Sequence, residues 1–276
     1  MEKHWQNEIA SILNEPLLEI IDTKKGLTNR NYRILTDNHD VIVRIPYPNN
    51  QQIVHREHEG KAMRLVEASG INLPTRYFDE KTGLKITDTV DDLLTFTEYQ
   101  GEDKIERTAA LMRKLHGIQQ CIGENFDPIQ RYTMYRRQVK KPMISDEKAM
   151  LILNGITQHK RPFTLCHNDW VPGNICFTDK QDYLIDYEYA GDNDPFFDVM
   201  SFVTENDLTK DEIDRFIQAY FQRIPTEDEK KDLFNYQQFH NLLWCTWACM
   251  MFEARQDDIY LDIAKQKFKS DRKSVV

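Results

Sequence analysis

The nine residues CHNDWVPGN at 166–174 gather a histidine, two asparagines, an aspartate, a proline and a glycine. They sit between the apolar-flavoured RPFTL and the strand-like ICF. Such a run makes poor helix or sheet, because Asn and Asp side chains bond their own backbone while Pro and Gly punctuate it. The chain continues as NICFTDKQDYLID, where ICF and YLI read as two strands around a turn at TDKQD. With that turn centred on Lys180, residue 177 faces 183, 175 faces 185, and Asn174 faces Asp186. Ladder partners stand about 4.5–5.5 Å apart, so a carboxamide and a carboxylate converge at the open end of the hairpin. Hard oxygens placed this way suit Mg2+ with phosphate and water oxygens. Asp169, on a short loop stiffened by Pro172, is left for a separate task.

The spacing HxDxxxxN with a later Asp is that of a phosphoryl-transfer centre, in which one Asp accepts the hydroxyl proton while the Asn and second Asp hold the metal. An Asx-rich turn before a hairpin is the plain structural alternative. The elements that must hold these groups are legible on either side. DVIVRI at 40–45 alternates, with Val41, Val43 and Ile45 on one face and Ile42 and Arg44 on the other. A helix is expected from about 51 to 69, closed by Gly70, and then two strands joined by the turn EKTG. From about residue 100 the pattern turns helical, with Leu111, Leu115 and Ile118 on one face of IERTAALMRKLHGI. Asp194 and Pro195 read as a cap and first helical position, and Asp198 as a brace for the polar loop. The basic tail KQKFKSDRKSVV is expected to fray. A β-rich front and a helical back suggest two lobes meeting near residues 88–100.

Bulk properties narrow the function classes. A net charge of −9 over 276 residues argues against a general nucleic-acid binder, whose affinity needs clustered Lys and Arg. The nearly apolar run LLWCTWACMMF is too short to cross a bilayer, and the amino end carries charges where a secretory signal would be apolar. The five cysteines form no CxxC pair and fit reduced thiols. The reading is a soluble, cytoplasmic protein with a small-molecule partner, no nucleic acid and no membrane insertion.

Taken with LIDYEYAGDNDPFFD, the stretch HNDWVPGN resembles the choline/ethanolamine kinase family, within the wider aminoglycoside-phosphotransferase-like kinases. GLTNRNYRI, VIVRIP, HREHEGKA, KLH and the late NLLWCTWACMMFEA extend the resemblance over roughly residues 20–268. It implies an α+β, bilobal protein-kinase-like fold, with a β-rich ATP-binding lobe at 1–92 and a mostly helical catalytic and acceptor-binding lobe at 93–276. It implies Asp169 as catalytic base, Asn174 and Asp186 as Mg2+ ligands, and His167 as a structural brace. Gly26, Thr28 and Asn29 would belong to the loop over the ATP phosphates. Arg44 would take the place of the usual strand lysine, a guanidinium being able to bridge two phosphate oxygens. Glu59, or alternatively Glu57, would pair with it.

For the acceptor, the resemblance places Trp244 and Trp247 in the choline pocket, Glu188 near the ammonium, and Tyr189 and Tyr260 as aromatic walls. Indole faces suit a cation that cannot donate hydrogen bonds, although aromatics at helical spacing are ordinarily core. The segment DDIYLDIAKQKF carries Ile263 where the family has a second tyrosine. The implied activity is Mg2+-assisted, ATP-dependent phosphorylation of choline to phosphocholine. Ethanolamine, thiamine or an aminoglycoside as acceptor, or a catalytically silent binder on the same scaffold, are the alternatives. HND in place of HRD, with no DFG after it, argues against a protein kinase.

Overall fold

The computed structural model describes residues 1–23, 29–47, 55–158 and 161–270. The amino-terminal part is a five-stranded antiparallel sheet in the order β1-β2-β3-β5-β4. Its strands are Glu19–Asp22 (β1), Asn29–Leu35 (β2), Asp40–Pro46 (β3), Thr75–Phe78 (β4) and Lys85–Asp88 (β5). The alternation read from DVIVRI holds: Val41, Val43 and Ile45 are buried with Tyr32, Ile34, Leu84 and Ile86 under helix α1 (Lys3–Leu13), through its Ile9 and Leu13. The opposite face carries Arg44, whose partner across the ladder is Lys85. Helix α2 (Arg56–Glu67) supplies Ala62, Met63 and Val66 to the other, larger core. It begins later than the sequence suggested, and of the expected start, residues 51–54 lie outside the described residues. Gly70, at φ +65°, follows it, in the conformation only glycine takes freely.

The rest is helical around two small sheets. Strand β6 (Leu94–Thr95), helices α3 (Lys104–His116), α4 (Pro128–Arg136) and α5 (Asp146–Thr157), and strand β7 (Thr164–Cys166) lead to the polar loop. After it come β8 (Ile175–Phe177), β9 (Asp182–Leu184), a single 3-10 turn at Tyr187–Tyr189 and β10 (Gly191–Asn193). Helices α6 (Pro195–Glu205), α7 (Lys210–Phe221), α8 (Glu227–Arg255) and α9 (Asp258–Ser270) complete the chain. α8 is the spine: α4, α5, α6 and α9 all pack on it. Asp194 caps α6 by accepting from the Phe196 amide, with Pro195 at its first turn, as its sequence requires.

Two expectations are corrected. The hairpin register is one residue off: Phe177 faces Asp182, Cys176 faces Tyr183 and Ile175 faces Leu184. The cause is a two-residue loop, Asp179–Lys180, closed by the Thr178 amide on the Gln181 carbonyl and by the Thr178 hydroxyl accepting from the amides of 180 and 181. Asn174 therefore bonds Ile185 through its carbonyl rather than facing Asp186 in the ladder. The basic tail is not frayed throughout either, since α9 runs to Ser270 and Lys267 is buried within it.

Candidate active site

The polar loop is held from below by α6. Asp198, fully buried, accepts from the backbone amides of His167 at 2.8 Å and Asn168 at 2.7 Å, and from His116 Nε2 at 3.1 Å. Ser201 Oγ accepts from the Trp170 amide at 3.1 Å, and Asn206 Nδ2 donates to the Trp170 carbonyl at 2.7 Å. The brace read at Asp198 is thus real, and Ser201 and Asn206 extend it. His167 is buried, with Nε2 at 2.9 Å from the Ile185 carbonyl and its ring edge-on to Trp170 and Tyr187. His116, Cys166 and Asp198 gather closely enough to suggest a metal cluster. Their atoms are already used, Cys166 Sγ on the Asn193 carbonyl and His116 Nδ1 on the Tyr220 hydroxyl.

Asp169 is half-buried at the rim of this cradle. Asn174 Nδ2 donates to its carboxylate and to its carbonyl, each at 3.0 Å. Burial, then the charges of Asp186, Glu188 and Glu205, push its carboxyl well above the ordinary range, against the pull of Asn174. Asn168 and Asp186, at φ 65° and 66°, bring the two ends of the segment round in left-handed conformation, which Asn and Asp tolerate better than other side chains.

Across the cleft, Arg44 is 5% exposed and reads two carboxylates at once. Its two terminal nitrogens bond both oxygens of Glu59, at 2.6 and 2.9 Å, and one also bonds Asp186 Oδ1 at 2.9 Å. The choice between Glu59 and Glu57 is settled, because Glu57 is exposed. Burial alone would raise the Glu59 carboxyl, yet Arg44, Lys85 and Arg56 hold it down at about 2. Lys85 and Arg56 were not singled out from the sequence. Lys85 Nζ lies 3.7 Å from Glu59 and Arg56 3.0 Å from it. The signal for Lys85 was its place on the same β5 face as a buried threonine, Thr87.

Glu188 is 5% exposed and accepts from Asn29 Nδ2 at 3.2 Å, with Arg56 at 3.8 Å. Burial and the neighbouring Asp186 raise its carboxyl to about 7, while Arg44 and Asn29 oppose this. It therefore faces residues of the amino-terminal sheet and α2. Gly26 and Thr28 lie outside the described residues. The Tyr189 ring carries Arg131 at 5.1 Å, a resident cation on the face expected for an ammonium. Both residues border a cavity of about 180 Å3 that also meets His55, His58, Tyr135 and Glu188.

Trp244, Trp247 and Tyr260 do come together. The two indoles meet edge to face at 5.9 Å, and Trp247 meets Tyr260 in the same way at 5.6 Å. Both tryptophans are half-buried, Tyr260 is buried, and Ile263 packs against the core. The Tyr260 hydroxyl accepts from Arg255 at 2.8 Å.

The oxygens fit a divalent cation and phosphates. Among the described residues nothing donates to the second oxygen of Asp169 or Asp186, and Asn174, its Nδ2 spent on Asp169, turns its oxygen away from that bond. Hard, unpaired oxygens beside a buried guanidinium are a fit for Mg2+ with polyphosphate. No helix is long and apolar enough to cross a membrane among the described residues.

Comparison with known proteins bears on the fold and the family. Protein LicA of Haemophilus influenzae is 24% identical over 239 residues, covering 81% of this chain and 70% of that one. The choline kinase LicA structure from Streptococcus pneumoniae superposes with a TM-score of 0.80 at 22% identity, covering 98% of each chain. A choline/ethanolamine kinase family structure from Mesorhizobium loti gives 0.80 at 22% identity, over 98% of this chain and 92% of that one. These likenesses establish a bilobal, kinase-like fold. Since the profile of the phosphotransferase enzyme family matches residues 19–233, this chain belongs to that family, as an ATP-dependent small-molecule kinase resembling the choline/ethanolamine kinases.

Proposed function

We propose that this chain transfers the γ-phosphoryl group of ATP to the hydroxyl of choline, between a lobe at residues 1–92 and one at 93–276. The observation that carries the reading is a single constellation across the cleft: Asp169 bonded by Asn174, and Asp186 bonded by an Arg44 that Glu59 holds. Asp169 takes the proton of the attacking hydroxyl, its raised affinity for protons suiting that task. Asn174 and Asp186 are the residues that would hold Mg2+, which when bound neutralises phosphate charge. Arg44, oriented by Glu59, presents its guanidinium to phosphate oxygens; Asn29, expected in the loop over them, instead opens strand β2 with its Nδ2 on Glu188. The rigid cradle from α6 fixes Asp169 so that positioning, not covalent chemistry, lowers the barrier.

Choline is favoured over other alcohols by the Trp244–Trp247–Tyr260 cluster, whose electron-rich faces suit trimethylammonium. Glu188 and Tyr189 contribute charge and wall at the cleft. One observation favours ethanolamine as a second reading: Ile263 and the Arg131-covered Tyr189 leave fewer open aromatic faces for methyl groups. ATP consumption with Mg2+ against choline, ethanolamine, thiamine and kanamycin separates them. Turnover of choline in preference to the rest supports the proposal, and turnover of another acceptor alone sinks it.

Trp247→Ala should raise the choline KM by roughly 3- to 30-fold, the worth of a cation–π contact, with the ATP KM unchanged. A fall in melting temperature with an unaltered choline KM would make the cluster mere core. A pH profile gives a further check. Asp169 must be ionised to act, so kcat/KM should fall as pH drops through its raised pKa, above the ordinary aspartate range. Glu188→Gln removes one of the repelling charges and should move that limb to lower pH.

A further inference from the structure

Lys267 belongs to a basic stretch, yet it is only 6% exposed. Its Nζ donates to Glu205 Oε1 at 2.6 Å and to the Thr204 carbonyl at 2.8 Å. Those two residues close α6, so an ammonium from α9 caps the end where a helix leaves its last carbonyls unpaired and its dipole negative. A cap alone would make Lys267 a matter of stability. What distinguishes α6 is its load: Asp198, Ser201 and Asn206 hold the backbone of 167, 168 and 170, on both sides of Asp169. Asn206 stands next to Glu205, and Glu205 is close enough for its charge to act on Asp169. At the other end of α9, Tyr260 rests on Trp247, and Ile263 lies between it and Lys267. Gln266 adds a contact to Asp207 at 3.5 Å, just past α6. The pair, its ammonium buried, therefore joins the helix that cradles the loop to the helix that carries an aromatic wall.

We propose that Lys267 is a positioning residue for phosphoryl transfer, its ion pair with Glu205 holding the cradle of Asp169 in register with the aromatic cluster of α8 and α9. The part that concerns the acceptor rests on the function proposed above; the part that concerns Asp169 needs only its role as base. The test is steady-state kinetics and nucleotide-analogue calorimetry on the full chain with Lys267→Met, Lys267→Arg and Glu205→Gln. Misplacing reacting groups by a fraction of an ångström should cost Lys267→Met about tenfold or more in kcat, with a severalfold rise in acceptor KM and nucleotide affinity within about twofold. Lys267→Arg, which keeps the charge and the bond to Glu205, should restore most of kcat. Glu205→Gln keeps the ammonium on the Thr204 carbonyl and so should fold, and it should show the same split at smaller size. If Lys267→Met does not fold, Glu205→Gln decides. Wild-type kcat and acceptor KM in Glu205→Gln, or in a folded Lys267→Met that is merely less heat-stable, would reduce the pair to a helix cap and overturn the proposal. A lowered kcat in Lys267→Met beside an unchanged acceptor KM in Trp247→Ala would overturn the acceptor-wall reading and leave the positioning of Asp169 standing.

Discussion

Asp169→Asn is expected to lower kcat by roughly 10²- to 10⁴-fold, the span that a positioned general base contributes, while nucleotide affinity stays near the wild-type value. The substitution is close to isosteric, and an asparagine oxygen can still accept from Asn174 Nδ2, which now bonds the carboxylate at 3.0 Å. The loop should therefore keep its shape. What disappears is a carboxylate that burial and three neighbouring acids, Asp186, Glu188 and Glu205, have made avid for protons. Removing a charge from that company relieves repulsion, so the variant should melt at or above the wild-type temperature. The combination of lost turnover, retained nucleotide binding by calorimetry and undiminished stability separates a chemical role from a structural one. An Asp169→Asn enzyme with near wild-type kcat would end the proposed mechanism.

Glu59→Gln should do the opposite to stability. Arg44 and Glu59 are 5% and 0% exposed, and Lys85 and Arg56 also lie within ion-pair range of the same carboxylate. Taking away that one charge leaves three cations crowded with Asp186 and Glu188 alone to balance them. Breaking a buried pair from one side costs roughly 3–5 kcal/mol, most of it the penalty on the group left behind. Urea unfolding should show that loss. Catalysis should fall as well, because Arg44, already on Asp186 Oδ1 and freed from Glu59, can turn a second nitrogen onto that carboxylate and compete for the oxygens that a metal would use. Replacing both partners, as Arg44→Met with Glu59→Leu, should restore much of the stability and none of the activity. An unaltered unfolding midpoint in Glu59→Gln would mean that the cleft is wetter than its packing indicates.

The local features of this chain were written in short stretches of sequence. Period-two alternation over DVIVRI assigned the buried face of β3. Asp194–Pro195 marked the start of α6, and the polar run after Cys166 could be neither helix nor strand. The spacing of Asp169, Asn174 and Asp186 suggested phosphoryl transfer, and the family resemblance of the surrounding stretches favoured it over a plain Asx-rich turn. Each of these signals is carried by neighbours in the chain, which is why they could be read without coordinates.

The rest depended on which distant groups meet. A two-residue loop rather than a three-residue one set the hairpin register, a difference of one position that composition does not encode. Lys85 and Arg56 looked like ordinary surface charges until the sheet and α2 brought them to Glu59, and Lys267 looked like part of a loose tail until α9 met α6. Glu188 turned toward Asn29, and Arg131 settled on Tyr189. Sequence alone picked out the residues proposed for phosphoryl transfer. Only the tertiary structure decided which charges neutralise one another, because a buried ion's partner is chosen by long-range packing, and that choice fixes both its protonation and its use.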